Sequence, residues 1–204
     1  MNSQMERFGP TRRGGPVFRW LGEPLAIDLA NTVMVVRDDH AVDLLAAPEQ
    51  LRRWLAAEQP RLGNCTFAVG HSAEIRALRD AVRRLLAAAV RGTTAPSEAL
   101  AFVNAASAQA PVAPQLVAVA GARPKMVELT ADGERLDQLL AKLARSAIAL
   151  LTGSDRDRLH ICEAPSCGMF FLGGRRWCCG ACGNRARAAR AYRRRKEGAA
   201  PSAR

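Results

Sequence analysis

The sequence predicts a mainly α protein: a helical N-terminal domain holding a short β-hairpin, then a small C-terminal α+β module of treble-clef-like order. Three observations predict it. Apolar residues recur at helical spacing through two long stretches, Ile75 to Ala89 and Leu136 to Leu151. Five of the six cysteines crowd between Cys162 and Cys182, as two close pairs separated by a hairpin-sized spacer. Directly behind them GNRARAARAYRRRKEG mixes helix-favouring alanine with arginine and meets no proline before Pro201. On this reading the chain divides into a disordered 1–15, a helical domain at 16–154, the cysteine module with its basic helix at 159–197, and a disordered tail at 198–204.

Composition sets the bounds. A chain of 204 residues has room for one ordinary core and a small module. With 49% hydrophobic and 24% charged residues it has the balance of a globular protein. The net charge of +11 and pI near 10.6 point to a polyanionic partner or to a locally basic tail. Residues Met1 to Gly15 carry Arg7, Arg12 and Arg13, but no apolar stretch follows that could form a signal-peptide core. Nothing approaches the ~20 apolar residues of a membrane helix. A cytoplasmic location without membrane contact is expected, and it suits reduced cysteines.

Taken in order, Pro24 can open a helix with Leu25, Leu29 and Val33 on one face, while the Val33 to Val36 run argues for a strand. Asp28 and Asn31 are expected to serve local capping and buried hydrogen bonds rather than a ligand site. Pro48 suits the first position of a helix with an apolar face of Leu51, Trp54 and Leu55, ended by Pro60 and Gly63. Cys65, near Phe67 and Val69, reads as a small buried hydrophobe, not a nucleophile. Ser72 is read as the cap of a helix running to Arg91. Ile75, Leu78, Val82, Leu85, Leu86 and Ala89 form its core stripe, and Arg76, Arg79, Arg83 and Arg84 a solvated outer face. Gly92 closes that helix. Thr94 and Pro96 announce another, with Leu100, Val103 and Ala106 or Ser107, lasting until Pro111. Two β-prone runs, Gln115 to Ala120 and Lys125 to Leu129, flank Gly121 to Pro124 as a hairpin. Thr130 or Asp132 then caps a helix with Leu136, Leu139, Leu140, Leu143, Ala147, Leu150 and Leu151 on one side, stopped by Gly153. The link Asp155 to Arg158 is too short for a loose tether, so the cysteine module should pack near the helical domain.

Cys162 and Cys167 enclose four residues, among them the turn formers Pro165 and Ser166. Ten residues later comes Cys178, then Cys182 after three more. Two cysteine pairs on turns, a hairpin apart, can set four thiolates tetrahedrally around one Zn²⁺. This matches the spacing better than buried thiols or a disulfide framework does. Five cysteines compete for four positions. Cys178 is preferred over Cys179, because with Cys182 it makes an i, i+4 pair: one ligand just before a helix, the other in its first turn. A Cys179–Cys182 pair remains an acceptable alternative. His160 is a weaker substitute ligand. Leu159 to Cys162 can pair with Met169 to Leu172 as a hairpin, and Phe170 or Phe171 with Trp177 would supply a small core that zinc supplements.

In the helix behind Cys182, Arg187, Arg190 and Arg194 fall at i, i+3 and i+7 and share a face. Arg185, Arg193, Arg195 and Lys196 widen it, and Tyr192 adds one ring. Guanidinium groups suit phosphates and guanine edges, and alanines keep a helix slim enough for a major groove. Only three of the 30 cationic side chains are lysines, so the choice of arginine is chain-wide and means little; position means more. From His160 to Arg204 ten basic residues face two acidic ones, a net of +8 out of +11.

RRWCCGACGNRARAARAYRRR resembles the CGNR zinc finger, named for the residues that are here Cys182, Gly183, Asn184 and Arg185. Cys162 and Cys167 match that family's first C-x4-C pair, and Trp177 with Cys178 the start of the second. Cys179 departs from the pattern, standing where serine is usual. PLAIDLANT, beginning at Pro24, and DLLAAPEQLRRWLA, beginning at Asp43, resemble the ABATE domain that usually precedes this finger. The resemblance implies a zinc-binding, DNA-binding module of bacterial transcription regulators of the stress response.

No phosphate-cradling glycine loop, no His-Glu-x-x-His and no His-x-Glu deaminase signature occurs, and four cysteines would close the shell of a zinc ion. The expectation is therefore a non-enzymatic, zinc-dependent DNA-binding regulator. Cys162, Cys167, Cys178 and Cys182 would hold one structural Zn²⁺. Arg175, Arg176, Arg185, Arg187, Arg190, Arg193 and Arg194 would contact nucleic acid, with Arg185, Arg187 or Arg190 touching bases. The N-terminal domain would sense a signal or form a homodimer; neither the effector nor the target sequence is legible. The alternatives are an RNA-binding module and a protein-interaction module.

Overall fold

The computed structural model describes residues 21–35, 41–63, 65–130 and 133–198. The stretches expected to be disordered, 1–15 and 198–204, lie outside these residues except for Gly198, as do Val36 and the candidate cap Asp132. The helices are α1 (Leu25–Ala30), α2 (Pro48–Leu62), α3 (Ser72–Arg91), α4 (Ser97–Ala108), α5 (Arg135–Thr152) and α6 (Gly180–Gly198). Three antiparallel two-stranded ribbons accompany them: β1 (Val33–Val35) with β2 (Ala41–Asp43), β3 (Val112–Val117) with β4 (Lys125–Thr130), and β5 (Leu159–Ile161) with β6 (Phe170–Leu172). The fold is mainly α, with a small α+β unit at its C-terminal end.

A six-residue helix such as α1 has too few hydrogen bonds to hold itself in water. Burial holds it: Ala26, Ile27, Asp28, Leu29 and Ala30 are all fully enclosed. It packs against α3, α5 and β6, and its early Ala26 N–H, unpaired within the helix, donates to Ser146 Oγ at 3.1 Å. α2 starts on Pro48 as its sequence suggests, but Pro60 does not end it. In the last turn a missing N–H forfeits only one helical bond, so the helix continues to Leu62. Gly63, at φ 78°, caps it and donates to Gln59 O at 2.8 Å.

α3 is the central helix. Ile75, Leu78, Val82, Leu85 and Leu86 are buried, and Ala89 partly so. Ser72 is not its cap. A 3₁₀ turn, Thr66–His71, runs into the helix, and Ser72 Oγ donates instead to the Leu45 carbonyl at 2.6 Å. The four arginines are not a uniformly solvated face either. Arg79 is only 2% exposed and pairs with Asp43 and Asp80, and Arg76 Nε reaches Asp43 at 2.6 Å. Arg83 donates to the carbonyl of Ala30. Only Arg84, on Glu98 at 3.3 Å, stands outside as expected.

In the β3–β4 ribbon the first strand lies earlier than Gln115 to Ala120 and contains Pro114. Proline is tolerated there because both strands of a two-stranded ribbon are edges. Glu134, not Thr130, occupies the N-cap position of α5, since Thr130 is the last residue of β4. α5 buries Leu139, Leu143, Ala147 and Leu150 against α1, α3 and α4. Gly153 stops it, and a Cβ there would lie 2.7 Å from Ala149 O.

The β5–β6 ribbon belongs to two cores. Successive strand residues point to opposite faces, so Phe170 enters the helical core with Leu159, while Phe171 enters a second cluster with Ala164, Met169 and Trp177. Of the two phenylalanines considered for the small core, Phe171 is the one that fills it. The C-terminal unit is thereby welded to the helical body.

Candidate metal centre and nucleic-acid interface

The cysteine turn is shaped by two left-handed residues, Ser166 at φ 54° and Gly168 at φ 69°. They reverse the chain so that Cys162 N–H donates to Met169 O at 2.8 Å and Gly168 N–H to Cys162 O at 3.3 Å. Cys167 thus returns beside Cys162. Beyond β6 the chain passes Gly173, whose N–H donates to Arg158 O at 3.0 Å, and delivers Cys178 just ahead of α6. Cys182 lies in the first turn of α6.

The sulfurs of Cys162, Cys167, Cys178 and Cys182 all lie within 4.8 Å of one another, and all four residues are buried. Individual Sγ separations are 3.4 Å for Cys178–Cys182 and 3.7 Å for both Cys167–Cys178 and Cys167–Cys182. Four sulfurs about 2.3 Å from a tetrahedral zinc are about 3.8 Å apart, so the cavity between them has the size of that ion. All are free thiols, far outside S–S bonding distance. Four ionised thiols cannot share this space alone. A hydrogen bond from Cys178 holds the Cys167 thiol down to about 5. Burial and the Cys167 charge push Cys182 up to about 12, and Cys178, donating to Cys167, rises as well. A divalent cation resolves the conflict, since it favours the thiolate on every ligand. The donor set fits one structural zinc ion, with no place left for substrate.

Backbone and side-chain donors reach the sulfurs as well. Cys178 N–H points at Cys162 Sγ at 3.4 Å, and Arg185 Nη2 at Cys182 Sγ at 3.2 Å. Cys179, half-buried, has its Sγ 4.0 Å from that of Cys178 and stands outside the group of four. His160 also stands outside it, exposed on β5 with its ring 5.7 Å from that of Phe171.

The cationic side chains divide by what they touch. Arg175 pairs with Glu23 at 3.2 Å and lies over Phe171. Arg176 pairs with Glu163 at 3.2 Å and lies 5.0 Å from the Trp177 ring. The Arg176–Glu163 pair is solvent-exposed and weak, whereas Glu23 is largely buried beneath Arg175. Arg187 reaches Asn184 Oδ1, and Arg190, Arg193 and Arg194 are exposed. At about 100° per residue, Arg187, Arg190, Arg193 and Arg194 occupy an arc of about 120° on α6, and Arg185 points away from it. A groove of about 230 Å³ runs beside this arc, between Arg190 and Arg193 on the helix and Pro165, Arg176 and Trp177 opposite. Gly183 is where the indole meets the helix: a Cβ there would lie 3.1 Å from Trp177 Cδ1.

The buried hydrogen bonds expected of Asn31 are present, and their partner, which the sequence did not show, fixes the finger to the body. Asn31 Nδ2 donates to Phe170 O at 2.9 Å, and Phe170 N–H donates to Asn31 Oδ1 at 2.8 Å. The side chain imitates a neighbouring strand. Arg83 adds a cation over the Phe170 ring at 5.6 Å. PLAIDLANT, read as a short helix with local caps and buried hydrogen bonds, is the joint between the two units.

No described helix is long and apolar enough to cross a membrane. The family model of ABATE, described as "Putative stress-induced transcription regulator", matches residues 23–154, and that of the CGNR zinc finger matches residues 158–195. No curated protein matches the chain. Neither matching family is an enzyme family. With its helical body and its four-cysteine finger both covered, the chain belongs to the ABATE family and carries a C-terminal CGNR zinc finger.

Proposed function

We propose that this protein is a zinc-dependent DNA-binding transcription regulator. Cys162, Cys167, Cys178 and Cys182 hold one Zn²⁺, which fixes the first turn of α6 and hence the direction in which the helix leaves the finger. Arg187, Arg190, Arg193 and Arg194 form the contact face, with Arg187 and Arg190 nearest the bases and Arg176 reaching phosphate across the groove. Arg175, whose side chain is half exposed, can add a phosphate contact while it holds Glu23. Arg185 neutralises part of the double negative charge that four thiolates leave on a zinc centre. The observation that carries the reading is the placement of four zinc-spaced sulfurs at the start of a helix whose exposed arginines share one arc. A closed shell leaves the metal no catalytic position, which supports a non-enzymatic role.

The helical body senses a signal or pairs two copies, since one finger reads a short site. The test is selection of bound fragments from a random duplex DNA pool by zinc-loaded protein at near-physiological salt. Enrichment of a short motif is expected, and its symmetry reports the number of copies that read it. Recovery without enrichment, with tighter binding to structured RNA, would favour a second reading. The exposed ring of Tyr192 amid arginines supports it, because unpaired bases stack on such rings. Failure to recover any nucleic acid would leave a protein-interaction finger.

A further inference from the structure

One face of α5 lines a cavity of about 490 Å³, walled on its other sides by α2, the 3₁₀ turn after it, and β4. That volume falls in the range of small-molecule sites. Arg135, Lys142 and Arg145 reach it from α5 at i, i+7 and i+10, a spacing that keeps them on one side of a helix. Among the described residues Glu128 is the one carboxylate in the wall, beside the cations Lys142 and Arg145. Phe67 and Leu139 make the floor, and the Arg135 guanidinium lies 4.5 Å from the centre of the Phe67 ring. Lys142 and Arg145 are half-buried, and among the described residues no carboxylate is paired with either. Arg145 is held in place by donating to Ala110 O at 2.8 Å. Lys142 and Arg145 therefore stand side by side on one wall of the cavity, both half-buried, and an anion placed between them would be shared by two like charges.

We propose that this cavity binds a small organic anion, a carboxylate or phosphate borne on an apolar, ring-sized body. The anionic group sits between Lys142 and Arg145, and the apolar body lies on Phe67 and Leu139. Because β4 forms one wall, the ligand ties the β3–β4 ribbon to α5. The site's role as the effector site of the regulator rests on the function proposed above; its existence as a binding site does not.

The test is thermal unfolding of the zinc-loaded full chain with benzoate, phenyl phosphate, inorganic phosphate or the neutral benzyl alcohol, each up to about 10 mM. Benzoate or phenyl phosphate should raise the midpoint saturably, at concentrations at least tenfold below those needed with benzyl alcohol or inorganic phosphate. Whichever of the two aromatic anions binds tighter identifies the head group. Lys142→Gln should weaken that binding roughly tenfold, and Lys142→Arg should restore it. No saturable shift with either aromatic anion, or the same shift in Lys142→Gln, would overturn the site. DNA affinity is then measured with and without the binding anion. A change makes the cavity an effector site, and binding without any change removes that role.

Discussion

Arg185 and Arg187 are two positions apart on one helix and face different partners. The guanidinium of Arg185 lies on Cys182 Sγ at 3.2 Å, and that of Arg187 rests on Asn184 at the exposed arc. Arg187→Ala and Arg190→Ala should each lower DNA affinity, by about 1–3 kcal/mol where a base edge is lost, and should leave one zinc per chain. Arg185→Ala should speed zinc loss to a chromogenic chelator, because a cation that favours the thiolate is gone. Unchanged DNA affinity in both Arg187→Ala and Arg190→Ala would remove this face as the reading surface. Asp28 makes a different kind of prediction. Burial and the charge of Glu58 push its carboxyl up to about 7, against the opposing pull of Arg61 at 2.6 Å. A raised folded-state value means that folding takes up a proton. The contribution is complete below the ordinary value of 3.8 and is lost as pH rises through about 7. Asp28→Asn removes this loss. Its unfolding free energy in urea should therefore gain on the wild type by a few kcal/mol between about pH 5 and pH 8. A pH-independent difference would mean that Asp28 stays ionised in the fold.

Among the elements, β6 has the most to hold. It carries Phe170 into one core and Phe171 into another, and its open edge is bonded by Asn31. Asn31→Ala leaves the Phe170 N–H and carbonyl buried without partners. This should cost about 2–4 kcal/mol of stability in chemical denaturation; a loss under about 0.5 kcal/mol would show that water replaces the clasp. In α6 the metal takes the place of a core. Cys182→Ser, or chelation, should release zinc and unwind α6 while the α1–α5 body keeps its helices, as read by circular dichroism. Cys179→Ser should leave both metal and helix in place, and zinc loss there would reassign the third ligand. The helices and the cysteine pairs were legible because their signals are local: periodicity over a few turns, spacing around a turn. The Asp43–Arg79 pair and the Asn31–Phe170 clasp were not, because their partners are 36 and 139 residues apart. An arginine awaiting a distant carboxylate looks, in sequence, the same as one facing solvent. Spacing alone also left Cys178 and Cys179 undecided, since both fit a turn with Cys182.

At the scale of the whole molecule, two elements present opposite chemistry. Basic side chains gather on α6, and the β3–β4 ribbon presents apolar ones. Leu116 is 77% exposed and Met126, its partner across the ribbon, 68%; Val117, Val127 and Leu129 are 43%, 44% and 58% exposed. A two-stranded ribbon with apolar residues open on both faces is marginal in water. These side chains leave on the order of 500 Å² of apolar surface, at the upper end of what a monomer usually shows. Two copies that clasp both faces of the ribbon would bury up to roughly 1,000 Å², about the least a specific interface requires, and the second copy would bring a second finger to the DNA. The proposed regulator needs such a gain, because one helix in one groove reads too few bases for a specific site. Sedimentation of the zinc-loaded chain should therefore show a reversible dimer at micromolar concentration. Leu116→Ser with Met126→Ser should shift it to monomer without lowering the zinc content, and affinity for a two-site DNA should fall further than affinity for a single site, since only the linkage between fingers is lost. A wild-type chain that stays monomeric at about 100 μM, or an equal loss on both DNAs, would reject the ribbon as the pairing surface and leave each finger to bind alone.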